Sequence, residues 1–270
     1  MSCLGNGISF LYQFDLGNRQ INNPGTNIIS VTATAEGDFD KANLATDSTR
    51  HRWRSVDVLN WQEIVIQAEI VSNIDTFAIL GHNLTEDAVI VLEANISNNF
   101  IAPPISVTIP WREDNIVWLS ELGDDYEFYR LRILDPTNPC GYIELGRIVG
   151  GRAFSMINGE GISDDFTIAA KDYAESMGTE GFFRHSNQRV IARTLSATTA
   201  KVDTKSPNDA NFIGLRKVFK AVGTTVPLLC IADRLDPALF VGWGQFNDVP
   251  DESFSTNRYV TMRFRFEEMF

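Results

Sequence analysis

The chain has 270 residues, of which 44% are hydrophobic and 11% are aromatic. This composition supplies a packed core for one large domain or two of ordinary size, and it argues against global disorder. The formal net charge is -12. Binding to a nucleic acid backbone is therefore not expected, because it requires Lys and Arg to neutralise phosphates.

The three cysteines, Cys3, Cys140 and Cys230, are far apart and form no CxxC pair. A disulfide framework or a zinc site is not expected from this spacing, and free thiols favour folding in a reducing cytosol. We find no basic segment followed by an apolar core at the N-terminus, and no apolar run approaches about 18 residues. We therefore expect neither a secretory signal nor a membrane span.

The first half of the chain shows short apolar stretches separated by turn formers, which predicts a mainly β structure. Residues 8–14 are a short predicted strand within an N-terminal arm, residues 1–26. Pro103 and Pro104 predict a loop across residues 101–110. The remaining predicted strands are 27–34, 62–70, 75–80, 88–94, 116–119, 128–133 and 142–149. About seven or eight strands over this length are typical of a β-sandwich or jelly roll.

The polar stretch KANLATDSTRHRWRS, residues 41–55, precedes the strand that begins at Gln62. Together with the later stretches 129–133 (YRLRI) and 143–148 (IELGRI), it resembles the discoidin, or galactose-binding-like, domain. The resemblance covers roughly residues 27–150 and implies a β-sandwich with Trp53 in its core. It also implies ligand binding through loops at one end of the sandwich, and it marks Asp47, Thr49 and Glu144 as positions where relatives sometimes hold calcium.

The second half, residues 151–270, follows a Gly-rich junction and has a different pattern. Residues 165–177 and 189–197 read as two strands around a hairpin tip at 178–181, with a helix as the alternative for 165–177. One helix is predicted after Ser206 and Pro207, with an apolar stripe and a stop at Gly223. The stripe consists of Phe212, Leu215, Phe219 and Val222. Buried strands are predicted at 226–232, 238–244 and 258–266.

The junction 144–154 (ELGRIVGGRAF) and the ending 263–269 (RFRFEEM) resemble the distal-tail or tail-tube module of tailed bacteriophages. The whole chain resembles phage tail proteins that fuse a galactose-binding-like domain to a ring-forming module. This resemblance implies a galactose-binding-like β-sandwich at 27–150. It implies a tail-tube-like β-sandwich or barrel with one helix at 151–270.

No catalytic constellation is present in the sequence. His51, His82 and His185 are scattered, and neither a G-x-S-x-G elbow nor a Walker A loop occurs. We therefore predict a protein that is not an enzyme and that needs no cofactor and no metal.

The candidate ligand-binding residues are Arg50, His51, Arg54 and Trp111. The basic residues, with Arg52, are suited to an acidic glycan or a lipopolysaccharide phosphate. The alternative is that they pair with acidic groups of the same chain or of a neighbouring subunit, and we favour this alternative. A tryptophan beside the polar loop 112–115 can stack on a sugar ring or pack into the core.

The two resemblances together predict a structural protein of the phage tail tip or baseplate. The expected assembly is a homo-oligomeric ring, a hexamer or a trimer, around a DNA channel that DNA traverses without specific binding. The expected partners are the tail tube protein, the hub, and tape-measure or fibre proteins. The expected location is the virion tail tip, after assembly in the bacterial host cytoplasm. The alternative function is a glycan-binding, lectin-like protein that recognises the host surface.

Overall fold

The structure is a computed structural model, and it describes residues 9–11, 28–32, 34–72, 74–120, 124–155, 167–172, 176–178, 184–186, 191–198, 202–203, 210–234, 236–248, 251–254 and 259–269. The chain divides into two compact units. One is Ser9–Phe154, and the other is Ser155–Phe270 together with the residues before Ser9. The predicted domains, 1–26, 27–150 and 151–270, stay a prediction. Within the described ranges, no helix is long and apolar enough to cross a membrane.

The described residues of the first unit are mostly strands joined by turns, with a 3-10 helix at Lys41–Ala45. Its strands are β1 (Ser9–Leu11), β2 (Ile28–Val31), β3 (Trp53–Arg54), β4 (Gln62–Ser72), β5 (Thr76–His82), β6 (Val89–Asn95), β7 (Ile105–Ile109), β8 (Ile116–Leu119), β9 (Tyr126–Leu134) and β10 (Glu144–Gly151). Strand β11 (Phe154–Ser155) contains the last residue of this unit and the first of the next stretch.

Two antiparallel sheets of this unit form a sandwich. One has the strand order β2-β4-β9-β6-β7, and the other has the order β3-β10-β5-β8. Alternate residues of each strand point into one shared apolar core, as in Ile64 and Ile66 of β4 and Phe77 and Ile79 of β5. Trp53 is fully buried in this core, and its Nε1 donates to Thr34 Oγ1 over 3.2 Å. The predicted sandwich and the predicted core position of Trp53 are confirmed.

The outer face of the five-stranded sheet carries charged side chains, as the alternation in β9 predicts. Arg130 Nε lies 2.6 Å from Glu93 Oε2, and Arg132 Nε lies 3.1 Å from Glu63 Oε1. Arg130 also stacks on the ring of Phe100, 4.7 Å from its centroid. These cross-strand pairs satisfy the charges on the solvent side of the sheet.

The predicted loop across residues 101–110 is wrong over residues 105–109. Residues Ile105–Ile109 form β7, which pairs with β6 from Ala94↔Ile105 onward. Pro103 and Pro104 precede the first paired residue, so their missing N–H groups cost the ladder no hydrogen bond.

The polar stretch 41–55 also contains more regular structure than a loop, because it includes the 3-10 helix and β3. Asp40 caps that helix by accepting from Ala42 N.

The second unit is also mainly antiparallel sheet, with a single helix among its described residues. Its elements are β12 (Thr167–Asp172), β13 (Ser176–Gly178), β14 (Arg184–Ser186), β15 (Ile191–Thr198), β16 (Val202–Asp203), α1 (Ala210–Val222), β17 (Leu228–Ile231), β18 (Val241–Phe246), β19 (Asp251–Phe254) and β20 (Tyr259–Glu268). The strand order is β17-β18-β20-β15-β12, and both β16 and β19 pair with β20.

The local patterns of the second unit are largely confirmed. Residues 167–172 form a strand, so the helical alternative for 165–177 is wrong there. Helix α1 ends as predicted, because Gly223 adopts a φ of 55° and its N–H donates to Phe219 O. Leu215 and Val222 of the predicted stripe are buried, and Phe219 packs edge-on against Phe246. Ser206 and Pro207 lie outside the described residues.

The chain is therefore mainly β, with antiparallel sheets in both units and one α-helix among the described residues. The predicted fold class is confirmed.

Candidate functional site

Three neighbouring strands of the four-stranded sheet bring polar side chains to one end of the sandwich. The register of β10 with its neighbours is Glu144↔Arg54 on one side and Leu145↔His82 on the other. Arg54 therefore ends β3 beside the start of β10, and His82 ends β5 beside the same point. This pairing brings Arg54 next to Glu144, although the two residues are 90 positions apart in the sequence.

Arg54 is held from several directions. Its Nε donates to Glu144 Oε1 over 2.9 Å, and Arg52 Nη1 donates to Glu144 Oε2 over 3.2 Å. The Arg54 guanidinium also lies between two rings, 3.7 Å from the centroid of Phe39 and 4.0 Å from that of Tyr142. The cation–π stacking and the ion pair together fix the plane of the guanidinium.

His82 links the end of β5 to the loop between β7 and β8. Its Nδ1 accepts from Leu84 N over 3.1 Å, so in this tautomer Nε2–H donates to Asp114 O over 2.6 Å. Burial lowers the pKa of His82 below its usual value, and the positive charge of Arg52 lowers it further. Hydrogen bonds to the carbonyls of Asp114 and Arg112 oppose this shift. The imidazole therefore acts as a neutral bridge between two loops.

Trp111 belongs to the same β7–β8 loop. Its Nε1 donates to Leu84 O over 3.0 Å, and its half-buried ring packs against the core. Gly81 N donates to Asn115 Oδ1 over 3.3 Å. The loop is thus tied to residues 81–84 at several points.

Asn83 ties these residues to the segment before β10. Its Nδ2 donates to Tyr142 O over 3.0 Å, and its Oδ1 accepts from Glu144 N over 2.7 Å. Residues 82–84 therefore contact both the β7–β8 loop and the segment that precedes β10. We call Arg52, Arg54, His82, Trp111, Tyr142 and Glu144 the end cluster.

The structure separates the four predicted binding residues. Arg54 and Trp111 belong to the end cluster, whereas Arg50 and His51 are exposed in the turn that precedes β3. Arg50 N donates to Ser48 Oγ over 3.2 Å. A ligand role for all four stays a prediction. The favoured alternative, pairing with acidic groups of the same chain, describes what Arg52 and Arg54 do with Glu144.

Sequence reasoning did not place His82 or Tyr142 in the site, and it named Glu144 only as a calcium position. These residues are single side chains at strand ends, so no spacing in the sequence marks them. Asp47 Oδ1 lies 3.4 Å from Arg147 Nη1, and Glu144 pairs with Arg52 and Arg54. In the described part of the chain, no group of three His, Cys, Asp or Glu side chains is placed to hold a metal ion.

Solved structures with similarity to this chain include sugar-binding modules. A module from Clostridium perfringens in complex with GalNAc-β-1,3-galactose is 12% identical with a TM-score of 0.37, over 47% of this chain and 97% of its own. A chitosan-binding module of a chitosanase/glucanase from Paenibacillus sp. IK-5 is 12% identical with a TM-score of 0.36, over 47% and 97%. The lectin domain of lectinolysin, complexed with Lewis B antigen, is 8% identical with a TM-score of 0.37, over 47% and 93%. No protein-family model matches the chain, and no curated protein matches it.

Proposed function

We propose that the sandwich unit binds a neutral glycan at the end cluster. The observation that carries the proposal is the Arg54 guanidinium, stacked between Phe39 and Tyr142 and paired with Glu144. A sugar offers a C–H face to an aromatic ring and hydroxyl groups to charged donors and acceptors. The end cluster offers both kinds of group, held in place before any ligand arrives.

The charge balance of the end cluster supports a neutral ligand. Arg52 and Arg54 share one carboxylate, Glu144, so these three side chains carry a single net positive charge. His82 adds no charge at neutral pH, because burial lowers its pKa. The whole chain is strongly acidic, with a formal net charge of -12. An acidic glycan would meet overall repulsion and little free positive charge at this site.

Hydrogen bonds hold the site in one arrangement, which supports its use as a binding site. Both Tyr142 and Trp111 are anchored through residues 82–84, by Asn83 Nδ2 to Tyr142 O and by Trp111 Nε1 to Leu84 O. Side chains and loops that are already ordered lose less conformational entropy when a ligand binds. The proposed role of the end cluster is to bind a ligand, without a chemical reaction.

A glycan array probed with the full chain tests the proposal, followed by calorimetric titration of the glycans that bind. Arg52→Ala removes a donor whose side chain is 38% exposed, and we expect about a tenfold loss of affinity. Trp111→Phe keeps an aromatic ring against the core but loses the pyrrole part of the indole, with the N–H that donates to Leu84 O. Arg216→Ala, which breaks an exposed ion pair with Glu252 in the second unit, is the matched control. Absence of binding to every neutral glycan would refute the proposal.

A second function is favoured by the edge strand β12. Thr167, Ala169 and Ala170 of β12 are exposed, and its outer edge pairs with no described strand. An exposed edge of this kind is a ready site for pairing with another chain. Pairing at this edge would allow the chain to assemble into a closed homo-oligomer, a hexamer or a trimer, which is the arrangement expected of a ring in a phage tail tip or baseplate.

Light scattering across a range of protein concentrations tests the ring. We expect a mass several times that of one chain, and Ala169→Lys should shift the population toward the monomer by charging the edge. Ala221→Lys, on an exposed position of α1, is the control. A wild-type chain that stays monomeric at every concentration would contradict this second function and leave the glycan proposal intact.

A further inference from the structure

The His82 imidazole makes one hydrogen bond that only its neutral form can make. Its Nδ1 accepts from Leu84 N over 3.1 Å, and its Nε2 lies 2.6 Å from Asp114 O. In the imidazolium cation both ring nitrogens are donors. The contact with Asp114 O survives protonation, because a carbonyl oxygen accepts from either form. The contact with Leu84 N does not, since two N–H groups would then face each other.

The Leu84 N–H belongs to a peptide group that is held on both sides. The carbonyl of the same peptide group, Asn83 O, accepts from Asn138 Nδ2 over 3.0 Å. Leu84 itself is buried, with 5% of its surface exposed. A backbone N–H that loses its acceptor in such a setting destabilises the arrangement that it belongs to. Protonation of His82 therefore favours a different arrangement of this turn.

The same turn, residues 82–84, carries the contacts that position two aromatic members of the end cluster. Trp111 Nε1 donates to Leu84 O over 3.0 Å, and Asn83 Nδ2 donates to Tyr142 O over 3.0 Å. A change in the peptide group between these two anchors is transmitted to both of them. The geometry therefore couples the protonation state of one imidazole to the placement of Trp111 and Tyr142.

The surroundings of His82 keep the imidazole neutral at neutral pH. Burial is the largest cause that lowers its pKa below 6.5, and the positive charge of Arg52 lowers it further. Hydrogen bonds to the carbonyls of Asp114 and Arg112 and the negative charge of Asp114 act in the opposite direction. Glu144, on the neighbouring strand β10, pairs with Arg52. The proton therefore binds below about pH 6.5.

We propose that His82 makes glycan binding at the end cluster dependent on pH. The neutral imidazole holds residues 82–84 in the arrangement that positions Trp111 and Tyr142, and protonation releases that arrangement. This inference rests on the proposed glycan binding and adds its regulation. A ligand that binds only the neutral form competes with the proton, so affinity should fall as the pH drops through the range in which His82 is protonated.

Nuclear magnetic resonance of the ligand-free chain tests the coupling itself. In an isotope-labelled sample, the indole N–H resonance of Trp111 is assigned by its loss in Trp111→Phe. We expect this resonance to shift with pH at the same midpoint as the His82 ring resonances, and to lose that shift in His82→Asn. Asparagine keeps an acceptor for Leu84 N and does not titrate. A Trp111 resonance that does not follow the titration of His82 would overturn the inference.

Calorimetric titration from about pH 7.5 to about pH 4.5 measures the effect on binding. The probes are methyl β-galactoside and methyl β-glucoside, which carry no titrating group, and any neutral glycan retained on the array. We expect constant affinity above about pH 6.5. Below the pKa of the folded state, the loss of affinity should approach about tenfold per pH unit.

His82→Asn should flatten this profile. His51→Asn is the matched control, because it removes an exposed imidazole of the same unit that lies outside the end cluster, and it should keep the profile. Carboxylates titrate in all three proteins, so the difference between the profiles isolates His82. Circular dichroism at each pH verifies that the chain remains folded.

The outcomes separate this inference from the proposed function. Affinity that is independent of pH, or a profile that is unchanged in His82→Asn, overturns the inference and leaves glycan binding in place. A profile that flattens as much in His51→Asn also overturns it, because the effect would not belong to His82. Failure of every glycan to bind overturns the proposed function and, with it, the regulation inferred from it.

Discussion

Asp135 shows how a single buried carboxylate organises the loops behind the end cluster. It is fully buried, and it accepts from Thr85 N over 2.9 Å, from Thr85 Oγ1 over 2.6 Å and from Asn138 Nδ2 over 2.9 Å. Asn138 Nδ2 also donates to Asn83 O over 3.0 Å. The carboxylate thus joins the loop after β5 to the loop after β9.

We expect Asp135→Ala to lower the free energy of unfolding by about 2–4 kcal/mol, because it removes a fully buried acceptor shared by the Thr85 N–H, the Thr85 hydroxyl and Asn138 Nδ2. Urea denaturation measures the change. Asp87→Ala is the control, since Asp87 is exposed and accepts from Thr137 Oγ1 over 3.2 Å at the surface. Equal losses in the two variants would show that Asp135 contributes no more than a surface carboxylate.

His82 makes the stability of this end of the sandwich depend on pH. Burial lowers the pKa of His82 from its usual 6.5, so just below that pH the unfolded chain binds a proton that the folded chain does not. The free energy of unfolding should therefore fall as the pH drops from about 6.5 toward the lowered pKa of the folded state. Above about pH 6.5, His82 does not make the free energy of unfolding depend on pH.

Urea denaturation at a series of pH values tests this expectation in the wild type and in His82→Asn. Asparagine can still accept from Leu84 N through its side-chain oxygen, and it does not titrate. The variant should be less stable at neutral pH, because its side chain is too short to reach Asp114 O, and it should show a flatter profile below pH 6.5. Identical slopes in the two proteins would exclude His82 as the source.

At the scale of elements, β18 and β20 approach so closely that only glycine fits at one position. A Cβ at Gly244 would lie 1.9 Å from the carbonyl oxygen of Glu267, which is backbone and cannot rotate away. Gly244 pairs with Glu268 in this register, so the two strands would have to separate. Because Gly244 has no side chain, β18 can pair with β20 in the sheet of the second unit.

We expect Gly244→Ala to cost about 3 kcal/mol or more in unfolding free energy, at the upper end for overpacked sites. Gly223→Ala is the comparison, because a Cβ there meets nothing within 4 Å and only the φ of 55° is unfavourable. That variant should cost about 1 kcal/mol. Thermal or urea unfolding measures both, and similar costs would contradict the steric explanation.

At the scale of the whole molecule, the net charge of -12 disfavours binding to anionic polymers such as DNA. Cationic side chains of the end cluster and of the five-stranded sheet are already paired, as Arg54 is with Glu144 and Arg130 is with Glu93. We therefore expect no binding to duplex DNA. Fluorescence anisotropy with a labelled duplex at low salt, where phosphate contacts are strongest, tests this. Saturable binding under those conditions would contradict it.

Local sequence patterns were sufficient for the class of fold and for many elements. Alternation in β4 and β20 identified the buried faces, Ile64 and Ile66 in one case and Phe264 and Phe266 in the other. A glycine after an apolar stripe located the end of α1 at Gly223. These features depend on residues only a few positions apart, and their period of two or of 3.6 can be read directly. The same local logic failed at β7, where two prolines suggested a loop and the strand began just after them.

The tertiary structure decided what the polar residues do. The sequence alone left Arg54 with two roles, ligand binding or the favoured pairing with an unspecified acidic group. The fold places it against Glu144, 90 residues away, and between two aromatic rings. His82 had no partner in the sequence, and the fold brings it to Asp114 and Leu84. Such partners come from strand register across the sheets, which no local pattern encodes. Polar chemistry at this end of the sandwich therefore depends on long-range pairing, whereas the β strands themselves follow from local alternation.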